Sequence, residues 1–216
     1  MSDVFRRGIM DRAEIKSIAR LRFAENRWPM IGVCVIVPLI IMAVVAIPVL
    51  GLAGLLVSPL LSVMMAGFFL DCWRGEQPPM ERLFQGAMDR MGTKLGGILW
   101  MELKVFLWTM LLVVPGIVKA YAYSLTPYLL ARYPNVGAME ASELSDRITS
   151  GYKMEIFVMS LSFLGWILLS GFTFGLLAVF YVAPYMNTSM AGLCDELVQN
   201  ALQEGRITPE MLGETV

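Results

Sequence analysis

PMIGVCVIVPLIIMAVVAIPVLGLAGLLVSPLLSVMMAGFFL, the run from Pro29 to Leu70, contains no charged residue. A helix needs about 20 predominantly apolar residues to cross a bilayer, and this run has room for two. Pro48, Gly51 and Gly54 in its middle are turn signals. The run therefore predicts two membrane helices joined by a tight turn. A second charge-free run, Ile156 to Cys194, reads the same way around Gly171-Phe-Thr-Phe-Gly175. Between the two runs, Gly92-Thr-Lys94 opens a third hairpin whose outbound arm carries Trp100, Glu102, Lys104 and Trp108. Pro115-Gly116 turns this hairpin, and its return arm is interrupted by Pro127 and ends near Arg132. The expected class is all-α, a polytopic membrane protein with six transmembrane helices arranged as three helical hairpins.

Composition agrees with that class. Hydrophobic residues make up 57% of the 216, with a mean hydropathy of +0.65, above the roughly 45 to 50% of soluble domains. Net charge is -1, but seven of the 17 basic residues (Arg6, Arg7, Arg12, Lys16, Arg20, Arg22, Arg27) precede the first span. Cationic flanks stay in the cytoplasm, so both termini are expected on that side of the membrane. A long basic segment followed by two spans is unlike a cleaved signal peptide, and no cleavage is expected. Three parts result: an N-terminal amphipathic helix in residues 1–28, a membrane domain in 29–195 (hairpins near 29–70, 95–132 and 154–195) and a cytoplasmic tail in 196–216.

Each hairpin follows an amphipathic segment. Asp11 and Glu14 have capping-box spacing, and Ile15, Ile18, Ala19 and Phe23 then fall on one helical face. That face can meet lipid or the protein's own cytoplasmic surface. Leu83, Phe84, Ala87 and Met91 form a second such face, and Ala141, Leu144, Ser145 and Ile148 a third, with Asn135 as its expected cap. Spacing repeats too: Asn26 to Pro59 is 33 residues, Gly92 to Pro127 is 35, and Gly151 to Pro184 is 33. Pro59, Pro127 and Pro184 are the expected kinks of the return arms. The pattern reads as a parallel threefold repeat about an axis along the membrane normal, enclosing either a cavity or packed side chains.

Little catalytic chemistry is available. The chain has no histidine, which excludes a Ser-His-Asp triad and a His-Glu-x-x-His zinc helix. Cys34, Cys72 and Cys194 have no paired metal-ligand spacing. No enzyme, cofactor, metal or nucleic-acid role is expected. The candidates for ligand binding are polar groups inside apolar sequence. Lys119 comes first, because an ionised side chain at the bilayer centre costs at least ~2.5 to 3.5 kcal/mol on insertion scales. It is expected near the outer interface, pointing between the hairpins with Tyr123 one turn below and carbonyls freed by Pro115 as acceptors. Glu102 and Lys104, two residues apart, face different sides of a helix and cannot pair locally. Tyr128, Tyr185 and Asn187 complete the set.

Pro115-Gly-Ile-Val-Lys-Ala-Tyr-Ala-Tyr-Ser-Leu-Thr-Pro-Tyr128, Ala141-Ser-Glu-Leu-Ser145, Gly151-Tyr-Lys153, Leu161-Ser-Phe-Leu-Gly-Trp166 and Ala183-Pro-Tyr185 resemble the bacterial integral-membrane family catalogued as domain of unknown function 975. Arg12-Ala-Glu-Ile-Lys16 and Asp71-Cys-Trp-Arg-Gly-Glu76 are similar to its opening and mid-chain motifs, extending the resemblance over about residues 10–197. It implies a multi-span bacterial membrane protein and no particular reaction. The family pattern matches this chain at Lys119, Tyr123, Pro127 and Tyr128 and departs from it at Glu102 and Lys104. The expected partners are membrane lipids, with a partner membrane protein or a second copy as further possibilities. The expected role is binding of a lipid, small solute or membrane protein between the hairpins, with a permease using a central cavity as the alternative.

Overall fold

A computed structural model of the chain describes residues 11–45, 51–79, 90–173 and 175–213. These residues contain helices and no strand. Helix α1 (Arg12–Glu25) leads into α2 (Arg27–Val45) through a bend of 92° at Asn26. The turn of the first hairpin lies outside the described residues, and α3 (Gly51–Trp73) is its return arm. The second amphipathic face, Leu83 to Ala87, also lies outside them.

The second hairpin pairs α4 (Met91–Leu111) with a return arm in two pieces, α5 (Val113–Ala122) and α6 (Thr126–Arg132). Its turn is at Leu112, whose backbone is extended. Pro115 sits inside the first turn of α5, where a missing N–H costs no hydrogen bond. The return arm breaks because Pro127 has no N–H and disfavours helical backbone before it. Thr126 N instead bonds Tyr123 O at 3.0 Å, closing a tighter turn.

Helix α7 (Ala138–Thr149) carries the third amphipathic stripe, with Ala141, Leu144, Ser145 and Ile148 all buried. Its N-terminus is capped by Glu140, whose carboxylate accepts from Gly137 N at 3.1 Å. Asn135, the cap expected from sequence, instead donates to Gly213 O at 3.1 Å. The third hairpin rises as α8 (Lys153–Leu161) and α9 (Leu164–Gly171), turns near Gly175, and returns through a π-helical turn (Ala178–Val182) into α10 (Ala183–Gln203). Gly175 has φ +80, a left-handed backbone suited to glycine. After α10 the chain folds back and buries Ile207 and Leu212.

The return arms meet at the centre. Helix α3 packs against both α6 and α10. At the crossings the residues are small: a Cβ on Gly67 would lie 3.2 Å from that of Ala131, and one on Gly192 only 2.6 Å from the Trp73 ring. Leu70, Leu129, Leu193 and Leu197 fill this junction, each at most 3% exposed, and each fully buried leucine stabilises the fold by roughly 1.5 to 3 kcal/mol. Arg74 and Asp195 form an ion pair joining the end of α3 to the middle of α10. Helix α1 docks on this core. Ile15 and Ala19 are fully buried, Arg20 Nε donates to Tyr185 Oη at 3.2 Å, and Arg22 Nε to Trp73 O at 3.1 Å. Of the two surfaces open to this helix, its apolar face takes the protein's own.

The three prolines have three different settings. Pro59 lies within a continuous α3, Pro127 starts α6 after a break, and Pro184 starts α10 after the π turn. Among the described residues, one helical stretch, Lys153–Gly171, passes alone as long and apolar enough to cross a membrane. Arg12–Glu25 with Arg27–Ala43 passes only as a bent pair, and Val57–Trp73 is a shorter apolar helix. In the second hairpin, charge and breakage work against a single apolar span. Helix α4 carries Lys94, Glu102 and Lys104, while its return arm is split into pieces of 10 and 7 residues.

A polar pocket beside the second hairpin

Exposed apolar side chains gather toward the hairpin tips. Ile36, Leu39 and Met42 mark the first, Leu103 to Val118 the second, and Phe157 to Phe180 the third, with Met110 73% and Phe172 86% exposed. Charged groups begin where this apolar surface ends. Lys119 lies seven residues past the turn at Leu112, roughly 10 Å along α5, and so two turns below the tip.

Helix α7 climbs beside α4 and positions the site. Gly97 makes the approach possible, since a Cβ there would sit 3.0 Å from Ala138 O and 2.7 Å from Leu130 Cδ1. Further along, Ser145 and Thr149 reach the break between α5 and α6. Ser145 Oγ donates to Ala122 O at 2.7 Å and accepts from Leu125 N at 3.2 Å, while Thr149 Oγ1 stands 3.1 Å from the same carbonyl. These hydroxyls supply partners to backbone groups that the broken helix leaves open, which buried polar groups require.

Next in the chain after Ser145, Asp146 joins two lysines. Its Oδ2 accepts from Lys119 Nζ and its Oδ1 from Lys153 Nζ, both at 2.8 Å. Partial burial pushes the Asp146 carboxyl up, but the hydrogen bonds and charges of Lys119 and Lys153 outweigh it and hold the group below the usual carboxylate range. The Lys119 ammonium also lies over the rings of Tyr123 (5.4 Å) and Trp108 (5.8 Å). The acceptor of Lys119 is thus a carboxylate of α7, and not the backbone near Pro115.

Lys104 also lies over Tyr123. Its Nζ donates to Ser142 Oγ at 3.0 Å and lies 5.3 Å from the Trp100 ring and 5.5 Å from the Tyr123 ring. Tyr123, only 6% exposed, is a wall shared by two ammoniums, the arrangement in which an aromatic face attracts cations. Lys104 and Tyr123 open onto a pocket of about 690 Å³ completed by Glu143, Asp146, Arg147 and Ser150 of the α7 end, by Lys153, and by Arg206 of the tail. Arg206 Nη1 donates to the carbonyls of Ile148 and Ser150, both at 3.0 Å, and closes the C-terminus of α7.

Lys104, Lys119 and Tyr123 therefore come together, and the remaining sequence candidates stand elsewhere. Glu102 faces the opposite side of α4, where it lines an apolar groove of about 460 Å³ with Phe106, Ala120 and Pro127. Tyr128 lies at the junction of the return arms beside Cys194. Tyr185 is buried against Phe163 and Tyr181, and Asn187 Nδ2 donates to Ala183 O of its own helix at 2.9 Å. Sequence reading missed Asp146, Arg147, Lys153 and Arg206. Asp146 directly follows the apolar stripe residue Ser145, and Lys153 comes two turns later; that pairing was the available signal. Among the described residues, no group of three or more His, Cys, Asp or Glu could hold a metal ion.

No curated protein and no solved structure matches the chain. One family model does match, over residues 105–199, which leaves Lys104, Arg206 and the N-terminal motifs outside the matched stretch. Its description is "Protein of unknown function (DUF975)". The matched stretch, from within the second hairpin to α10 and with Lys119, Tyr123, Asp146 and Lys153, is similar to that family, the one its motifs resemble.

Proposed function

We propose that this is a non-enzymatic protein of the bacterial cytoplasmic membrane that binds a ligand in the pocket between the second hairpin, α7 and the start of the third. Three hairpins enter the bilayer tip first from the cytoplasmic side, as six spans in a parallel threefold repeat with both termini cytoplasmic. The observation that carries this reading is the placement of the pocket. Charged groups of α4, α5, α7 and α8 converge where the exposed apolar surface of the hairpins meets the polar end of α7, the kind of boundary at which lysines reach headgroups and water. A ligand there can be a lipid headgroup, a small solute or the polar edge of another membrane protein.

A permease needs a polar passage between its repeats. The junction of α3, α6 and α10 supports binding instead, since the space among Leu70, Tyr128, Leu129 and Val198 amounts to about 10 Å³. Single cysteines test the orientation. In place of Leu50 and Thr173 they should react with an impermeant thiol reagent added outside the cell, and in place of Glu76 and Glu143 they should not. Outside labelling at Glu76 would overturn the arrangement.

A further inference from the structure

We infer that the pocket beside Tyr123 is a site for a phosphate monoester, with Lys104 as its principal ligand; this deepens the binding role proposed above and rests on it. Charge is the first ground. Lys104, Arg147, Lys153 and Arg206 line the pocket against two carboxylates, Glu143 and Asp146. Asp146 is already occupied by Lys119 and Lys153, and Arg206 pairs with Glu204, so Lys104 and Arg147 are left with Glu143 as the one further carboxylate of the pocket lining. Lys104 is the sharper case. Its ammonium is half-buried, and the partners it has are a neutral hydroxyl and two ring faces. A cation withdrawn from water needs a counter-charge, and the open side of Lys104 is the pocket.

Geometry is the second ground. Ser142 holds Lys104 in place, because the Ser142 hydroxyl donates to Met139 O at 2.8 Å and keeps its lone pair for the ammonium. The donors facing the space come from three elements: Lys104 from α4, Arg147 and Ser150 from α7, and Lys153 from the start of α8. A carboxylate has two oxygens and one charge. A phosphate monoester has three acceptor oxygens and carries about -1.5 to -2 charge at pH 7, which matches donors arriving from several directions and a lining richer in cations than in carboxylates. At 690 Å³ the pocket holds such a group with a substituent attached. The substituent can belong to a lipid such as phosphatidic acid or to a water-soluble ester.

Two arms separate these sources. In the first, the full chain in phosphatidylcholine nanodiscs is titrated with inorganic phosphate by calorimetry. In the second, its unfolding temperature is compared between phosphatidylcholine nanodiscs with and without phosphatidic acid. Lys104→Gln should weaken the response roughly tenfold or more, as loss of a charge-assisted hydrogen bond does. Lys104→Arg should keep most of it, and Glu102→Gln, on the opposite face, should leave it unchanged. Stabilisation by phosphatidic acid without phosphate binding assigns a lipid headgroup; binding of inorganic phosphate assigns a soluble ester. No response in either arm overturns the inference, as does a response of equal size in Lys104→Gln. If Lys104→Gln fails to fold, Arg147→Gln at the exposed rim gives the same reading. Retention of these proteins in alkali-washed membranes is scored separately, so a chain that washes off defeats the membrane assignment without deciding the phosphate titration.

Discussion

Ser145→Ala removes one oxygen and leaves the volume of the site nearly unchanged, so its effect reads the hydrogen bonds alone. In the native fold that oxygen serves two backbone groups at the break between α5 and α6: Ala122 O at 2.7 Å and Leu125 N at 3.2 Å. Ser145 is fully buried, and Ala122 and Leu125 are nearly so, which keeps water from replacing it. Ala122 O retains Thr149 Oγ1 at 3.1 Å, whereas Leu125 N loses its partner. One orphaned buried donor costs about 1 to 3 kcal/mol. For a chain of this size each kcal/mol moves Tm by about 2 to 4 °C, so a fall of several degrees is expected in detergent melts. Thr149→Val alone should cost less. The double variant should lose more than the sum of the two, because the hydroxyls share one carbonyl and neither can then cover for the other. A neutral Ser145→Ala, or strictly additive losses, would refute the claim that α7 holds the broken arm together.

Asp146→Asn should lower stability at neutral pH by releasing Lys119 and Lys153 from a common acceptor. Because the folded-state pKa of Asp146 is depressed, its contribution is complete above the ordinary carboxylate range and disappears as pH falls through the lowered value. The variant should therefore lose less stability than the parent between neutral pH and strong acid, which a pH series of melts measures. Gly192→Ala would place a Cβ 2.6 Å from the Trp73 ring and should cost about 1 to 3 kcal/mol through overpacking, read as a lower Tm. Leu168→Asp, at a position 66% exposed near the third tip, should reduce the fraction of chain retained in alkali-washed membranes, since an aspartate on a lipid-facing apolar surface opposes insertion.

What the sequence revealed and what it concealed divide along local and distant interactions. The apolar stripe of α7 was legible because helical periodicity brings Ala141, Leu144 and Ile148 to one face whatever they pack against. The face of α1 was legible for the same reason, although periodicity left open whether Ile15 and Phe23 would meet lipid or protein. The pairing of Lys119 with Asp146 was not legible, because 27 residues and a change of chain direction separate them and no local rule links the two. Turn residues misled in a similar way. Pro115-Gly116 marks the second tip, yet the turn forms at Leu112, because proline is tolerated in the first turn of a helix and need not sit at the bend. The break after Leu161 had no strong signal at all. Ser162 is fixed there by Lys16 of α1, a contact that only the docking of α1 creates.

Depth in the bilayer tests the central claim most directly. Cys34, Cys72 and Cys194 are buried, so a spin label attached to one introduced cysteine reports that position alone. Labels in place of Met110 and Leu168 should be relaxed strongly by oxygen and weakly by a water-soluble nickel chelate in reconstituted vesicles, and labels in place of Glu143 and Met139 should show the reverse. That pattern puts the apolar arms of the hairpins in lipid and the rim of the pocket in water. Strong nickel relaxation at Met110 and Leu168 would contradict the account.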